Sequence, residues 1–257
     1  MFRFASSVLL VIGLVAASGC TQTFKKTHAL AEQGDAEAQF NLGMMYDEGD
    51  GVTQDFIQAI KWHTKAAEQG HVDAPLHIGF IYSGRQDFPQ DRVKAREWYI
   101  KASQAGNTRA EHILGLMLLH IGDNAEGREW IRKSAENGYD YAQNNLANYY
   151  LYGQFGFTQD IAKAFAWHTK ASEQGNAFSQ LALAQMYHDG KGTASDNIKA
   201  YMWLDIAASL KTREASEARG EIAKLRNAVA ALLTPQQLAT AKDLAAACFA
   251  SSYKNCS

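Results

Sequence analysis

Five tryptophans, Trp62, Trp98, Trp130, Trp167 and Trp203, stand 36, 32, 37 and 36 residues apart. No other feature restricts the possible folds as much. The stretches AIKWHTKAAEQG, from Ala59, and AFAWHTKASEQG, from Ala164, differ at only three positions. Three residues before each tryptophan stands Ala59, Ala95, Gly127, Ala164 or Ala200, and four after it Ala66, Ala102, Ser134, Ala171 or Ala207. Glycine follows eight residues after the first four tryptophans, at Gly70, Gly106, Gly138 and Gly175. Counting from each glycine, with Gly34 opening the series, the fourth residue is Ala38, Ala74, Ala110, Ala142 or Ser179. The eighth is Leu42, Ile78, Leu114, Leu146 or Leu183. A period of this size denotes an array of two-helix repeats, each burying its apolar face against its neighbours.

The spacing accounts for the residue types. Positions +4, +8 and +9 after the glycine share one face of a first helix, and positions −3, 0 and +4 around the tryptophan share one face of a second. Small residues admit close helix approach, and all five tryptophans, Trp130 in the shortest repeat included, are expected to fill the space beside them to the same depth. The glycine ends the second helix in the left-handed conformation. An aspartate precedes each tryptophan by seven: Asp55, Asp91, Asp123, Asp160 and Asp196. These carboxylates are read as N-caps, each contributing about 1 kcal/mol, and not as catalytic or metal-binding groups.

The run Ala38, Leu42-Gly43, Tyr46, Gly49-Asp50-Gly51, Asp55, Ala59, Trp62, Ala66-Ala67, Gly70 resembles the Sel1-like repeat, a relative of the tetratricopeptide repeat. The resemblance spans residues 35–210. It departs from the pattern at Leu118, in place of tyrosine, and at Ala147 and Ala184, in place of glycine. It implies an all-α protein, a right-handed α-solenoid of helix-turn-helix repeats. Residues 211–257 would form a C-terminal helical cap and tail, with Thr234-Pro235-Gln236-Gln237 opening the last helix.

Residues 1–19 read as a bacterial signal peptide: Arg3, then an apolar run from Val8 to Ala17, too short for the roughly 20 residues that span a bilayer. The end, Ala17-Ser18-Gly19-Cys20, resembles a lipobox, which implies acylation (palmitate) at Cys20. By analogy with that class, Thr21 implies sorting to the outer membrane. The expected location is therefore the bacterial envelope, lipid-anchored and periplasm-facing, with 20–34 as a tether. In that oxidising compartment Cys248 and Cys256 invite pairing. A helix continuing through CFASSYKNC would instead hold the sulfurs apart, and both arrangements remain open.

Chemistry is sparse. The eight histidines form no H-E-x-x-H, and the DEGDG turn lacks the first and last ligands of an EF-hand. His63 and His168 share one repeat position, expected at the surface. Ser251-x-x-Lys254 has no S-D-N or K-T-G partner motif. No catalytic residue, metal site, cofactor or small-molecule substrate is expected. With 25 basic and 27 acidic residues, nucleic acid is excluded as a partner.

What remains is a surface. Positions +6 and +10 lie about 200° from the core stripe of each first helix. They are Phe40 and Met44, Leu76 and Phe80, His112 and Leu116, Asn144 and Asn148, then Leu181 and Gln185. Either they pack between repeats, or, as in tetratricopeptide-like arrays, they line a groove for a protein or peptide. The expectation is a non-enzymatic interaction module. The resemblance implies as partner a toxic phospholipase effector, to be neutralised, or an envelope assembly or host-contact factor. The rival reading is a β-lactam-binding or cell-wall-active enzyme, as in cysteine-rich relatives that carry a cysteine pair per repeat.

Overall fold

The computed structural model describes residues 22–85, 88–254 and 256, and every regular element among them is a helix. Helix α1 covers 22–32. Helical hairpins follow: α2 (Ala36–Glu48) with α3 (Phe56–Glu68), and α4 (Ala74–Tyr82) with α5 (Arg92–Gln104). Next come α6 (Thr108–His120) with α7 (Asn124–Glu136), α8 (Asp140–Tyr152) with α9 (Ile161–Ser172), and α10 (Ala177–Asp189) with α11 (Asn197–Ser209). Helices α12 (Arg213–Ala230) and α13 (Pro235–Ala250) complete the order. The chain divides into two compact units between Glu111 and His112, inside α6.

Each hairpin is closed by its aspartate twice over. The side chain of Asp55, Asp91, Asp123, Asp160 or Asp196 accepts from backbone N–H groups in the first turn of the second helix. Its own N–H donates to the carbonyl of Tyr46, Tyr82, Leu118, Tyr150 or Tyr187, at 2.8–2.9 Å. The short third turn keeps this bond. The glycines ending α1, α3, α5, α7 and α9 take φ values of 85–95°, which side chains with a Cβ avoid.

The residue after the tryptophan is buried in every second helix, whereas the tryptophan is not. His63, Tyr99, Ile131, His168 and Leu204 are at most 1% exposed. Trp62 and Trp203 are buried, whereas Trp98, Trp130 and Trp167 are half-buried, contrary to the equal burial expected from the spacing. A lysine three residues on covers the ring of Trp62, Trp98, Trp130 and Trp167, its Nζ 4.0–4.7 Å from the centroid. The same observation corrects the surface placement of His63 and His168. A Cβ at Gly43 would lie 2.6 Å from the His63 ring, one at Gly79 2.4 Å from Tyr99, and one at Gly115 2.8 Å from Ile131. Glycine at +9 of these first helices is therefore a seat for the buried side chain.

Buried amides fix the repeat register. Gln39, Gln143 and Gln180 donate to the carbonyls of Ala31, Ala135 and Ser172 at 3.0–3.2 Å. Gln69 and Gln174 then donate to Gln39 and Gln143 at 2.7 Å. Gln180 Oε1 has no partner, because Leu210 stands where Gln69 and Gln174 stand in the earlier repeats.

Both ends of the described chain are packed. The segment expected to be a tether is helical from residue 22. Phe24 meets Tyr46 edge-on, His28 meets Trp62 edge-on, and Ala31 is buried with Ala38 and Leu42. These three residues recur at i, i+4 and i+7, so they form one helical stripe. At the other end α12 and α13 pack on α11, enclosing Trp203 with Ala218, Ile222 and Ala241. Thr234 and Gln237 form a reciprocal capping box. Helix α13 stops at Ala250, and positive φ values at Ser252 and Tyr253 reverse the chain. The reversal brings Cys256 to a Cα separation of 5.2 Å from Cys248, and the two are bonded as a disulfide.

Candidate functional site

In the N-terminal unit, the first-helix positions at +6 and +10 are neither plain core nor plain surface. Leu76 is 2% exposed and packs as core, so it is not free to contact a partner. Phe40, Met44 and Phe80 are half-buried. The ring of Phe40 stacks on His71, with centroids 4.2 Å apart, and is approached by His63 and His77 at 5.3 Å. Phe80 meets His77 and Tyr99 edge-on, and the Arg109 guanidinium lies 5.3 Å from its centroid. A cavity of about 440 Å³ opens here, lined by Phe40, Leu76 and His77 from two first helices and by Gly106–Arg109, where α6 begins.

The charges around this cavity are mostly matched. Asp73 accepts from Asn107 Nδ2 at 2.7 Å. Buried Asp47 is paired with Arg85 at 2.7 Å, and a Glu37 carboxylate oxygen lies 3.2 Å from His71 Nε2. Arg109 is exposed and has no carboxylate partner among the described residues. Beneath the cavity both ring nitrogens of His63 are buried without a hydrogen-bond partner. Burial, followed by the neighbouring His77 and His71, lowers its pKa to about 3, and burial also lowers that of His77. The His63 and His77 imidazoles are neutral, aromatic packing groups near pH 7. Sequence reasoning placed Phe40 and Phe80 but missed Arg109 and His77, although +3 and +7 adjoin the +6 and +10 stripe on the helix surface.

In the C-terminal unit the face is polar and largely satisfied. His112 and Asn144 are buried, while Leu116 and Asn148 are half-buried. Asn145 donates to His112 Nε2 at 2.9 Å, and Ser179 Oγ donates to Asn144 Oδ1 at 2.9 Å. His168 Nδ1 lies 3.3 Å from the same hydroxyl. This His-Ser-Asn order is not a nucleophile with its base: the hydroxyl proton points to Asn144, and Ser179 and His168 are wholly buried. Ser251 Oγ lies 2.8 Å from the carbonyl oxygens of both Cys248 and Lys254, which share its single proton, closing the tail turn. Among the described residues no group of three or more His, Cys, Asp or Glu is arranged to hold a metal ion. None of their helices is long and apolar enough to cross a membrane. Cys20 lies outside the described residues.

The Sel1 repeat family model matches residues 36–71, 77–107, 109–139, 140–176 and 177–211. The chain is a Sel1-repeat protein. Sel1 repeats form α-solenoids and commonly mediate protein–protein interaction. This Sel1-repeat protein is 31% identical over 147 residues to the alginate biosynthesis protein AlgK of Pseudomonas syringae pv. tomato, covering 54% of this chain and 28% of that one. It is 34% identical over 80 residues to chitin synthase regulatory factor 3 of Schizosaccharomyces pombe, covering 31% of this chain and 9% of the other. The chain thus matches under a third of the length of either curated relative. Among solved structures it is similar to a protective antigen of uropathogenic Escherichia coli with an SLR fold, at TM-score 0.65 and 26% identity, covering 94% of this chain and 60% of that one. It is also similar to a Sel1 repeat protein of Oxalobacter formigenes, at TM-score 0.61 and 26% identity, covering 79% and 84%.

Proposed function

We propose that this Sel1-repeat protein is a non-enzymatic interaction module of the bacterial envelope, held to the membrane by a lipid on Cys20. It presents the first-helix face of its N-terminal unit to a protein or peptide partner. The observation that carries the reading is the cavity lined by Phe40 and His77 and bordered by Arg109, a cation over the Phe80 ring with no carboxylate partner among the described residues. Half-buried aromatics held by their own neighbours form a rigid surface that loses little entropy on binding. The partner classes that suit such a module are a toxic effector to be neutralised, or an envelope assembly or host-contact factor. The likeness to AlgK, an alginate biosynthesis protein, supports an envelope role.

The test is crosslinked capture from native membranes, comparing the natural chain with a Met44→Glu, Phe80→Glu double variant. Circular dichroism first establishes that the variant keeps its helical signal. Loss of the captured partner is expected, since buried anchors of this kind each contribute about 2 kcal/mol or more to binding. Undiminished capture by a folded variant would remove this face from the function. Hydrolysis of a chromogenic β-lactam, abolished by Ser251→Ala, would replace the reading with an enzymatic one.

A further inference from the structure

The protein contains its own example of a helix docked on a first-helix face. In the C-terminal unit, α12 packs on α10 as well as on α11. Phe178 and Leu181, at +3 and +6 of the fifth repeat, pack against the core to which Ala218 and Ile222 of α12 belong. One repeat earlier, Tyr141 at +3 donates its hydroxyl to Glu214, in the first turn of α12. The occupant is an amphipathic helix with small and aliphatic residues inward and a carboxylate at its start.

The N-terminal unit presents first-helix residues at +6, +10 and +3 of its three successive repeats, Phe40, Phe80 and Arg109, without an occupant from the described residues. Position +3 of the third repeat is Arg109, the counterpart of Tyr141. A cation at a site where the neighbouring repeat holds a carboxylate is complementary to that chemistry. The guanidinium lies 5.3 Å from the Phe80 ring centroid, and a guanidinium favours a planar, bidentate acceptor. The cavity beside it supplies apolar wall from the half-buried Phe40.

We propose that the face formed by Phe40, Phe80 and Arg109 docks an amphipathic helix of a partner protein that carries a carboxylate in its first turn. This deepens the interaction reading above by stating the partner's chemistry. The probe is a fluorescein-labelled peptide of residues 212–230, titrated with the full chain and followed by anisotropy. Saturable binding in the range of about 10–100 µM is expected, as for an isolated helix that must order on docking. Arg109→Glu weakens it about five- to tenfold, and a peptide with Glu214→Lys regains affinity for that variant but not for the natural chain. Equal binding to the natural chain and to Arg109→Glu would show the peptide exchanging with the resident α12, and would overturn the proposal. So would the absence of saturable binding up to about 1 mM. Either result leaves capture of a native partner unaffected, so failure of the helix chemistry is distinguishable from failure of the interaction reading.

Discussion

Replacing His63 with leucine is expected to stabilise the N-terminal unit, and more so as pH falls. Both imidazole nitrogens are buried without partners, a condition that costs about 1–3 kcal/mol. Leucine fits the position, since Leu204 fills its equivalent in the fifth repeat and Gly43 leaves the His63 ring open space on α2. The second contribution is protonic. The folded pKa of about 3 lies below the ordinary 6.5, so the unfolded chain takes up the proton first. Stability from the neutral ring is complete above pH 6.5 and is lost as pH falls from there toward 3. At pH 5.5, one unit below the unfolded pKa, the loss is about 1.4 kcal/mol. Urea unfolding followed by circular dichroism at pH 7.5 and 5.5 measures both effects. His63→Leu should gain about 1–3 kcal/mol at the higher pH and about 1.4 kcal/mol more at the lower. An unchanged pH dependence would show that His63 is protonated or solvated in the folded chain. A net loss at pH 7.5 would show that its ring contacts with Phe40 and His77 outweigh its missing hydrogen bonds.

Trp203→Ala should cost about 3–5 kcal/mol and Trp130→Ala about half as much, because only Trp203 is fully buried; equal shifts in urea midpoint would contradict this difference. Gly43→Ala should cost about 1–3 kcal/mol, since its Cβ would fall 2.6 Å from the His63 ring, and pairing it with His63→Ala should recover much of the loss. Alkylation of unfolded protein isolated without reductant should label neither Cys248 nor Cys256, and reduction should remove roughly the 2.6 kcal/mol expected for a nine-residue loop, read as a lower melting temperature. Cys20→Ser should move the protein from the membrane to the soluble fraction; retention with an unmodified N-terminus would end the lipid-anchor proposal.

The repeat, the hairpins and their ends are determined by the sequence alone, because each depends on local chemistry. An aspartate caps the helix that starts beside it, and a glycine takes the left-handed turn where it stands, whatever surrounds them. Periodicity likewise identifies the alanine stripe of each second helix. It cannot say which flank of that stripe lies deeper. With 100° per residue, the tryptophan and its successor sit symmetrically on either side, about 50° from the stripe centre. Tertiary packing decides between them: the successor faces the first helices, where Gly43, Gly79 and Gly115 make room, and Trp98, Trp130 and Trp167 turn to the edge under a lysine. The same limit applies to the first helices, whose +6 positions read alike. Leu76 is enclosed while Phe40 stays half-open, and the difference comes from neighbours about 30 residues away that a helical period does not record. In the sequence, residues 22–32 read only as part of a tether over 20–34, because the stripe of Phe24, His28 and Ala31 acquires meaning from the Trp62 and Tyr46 surface it covers. A helix this short gains most of its stability from such packing and little from its own propensity.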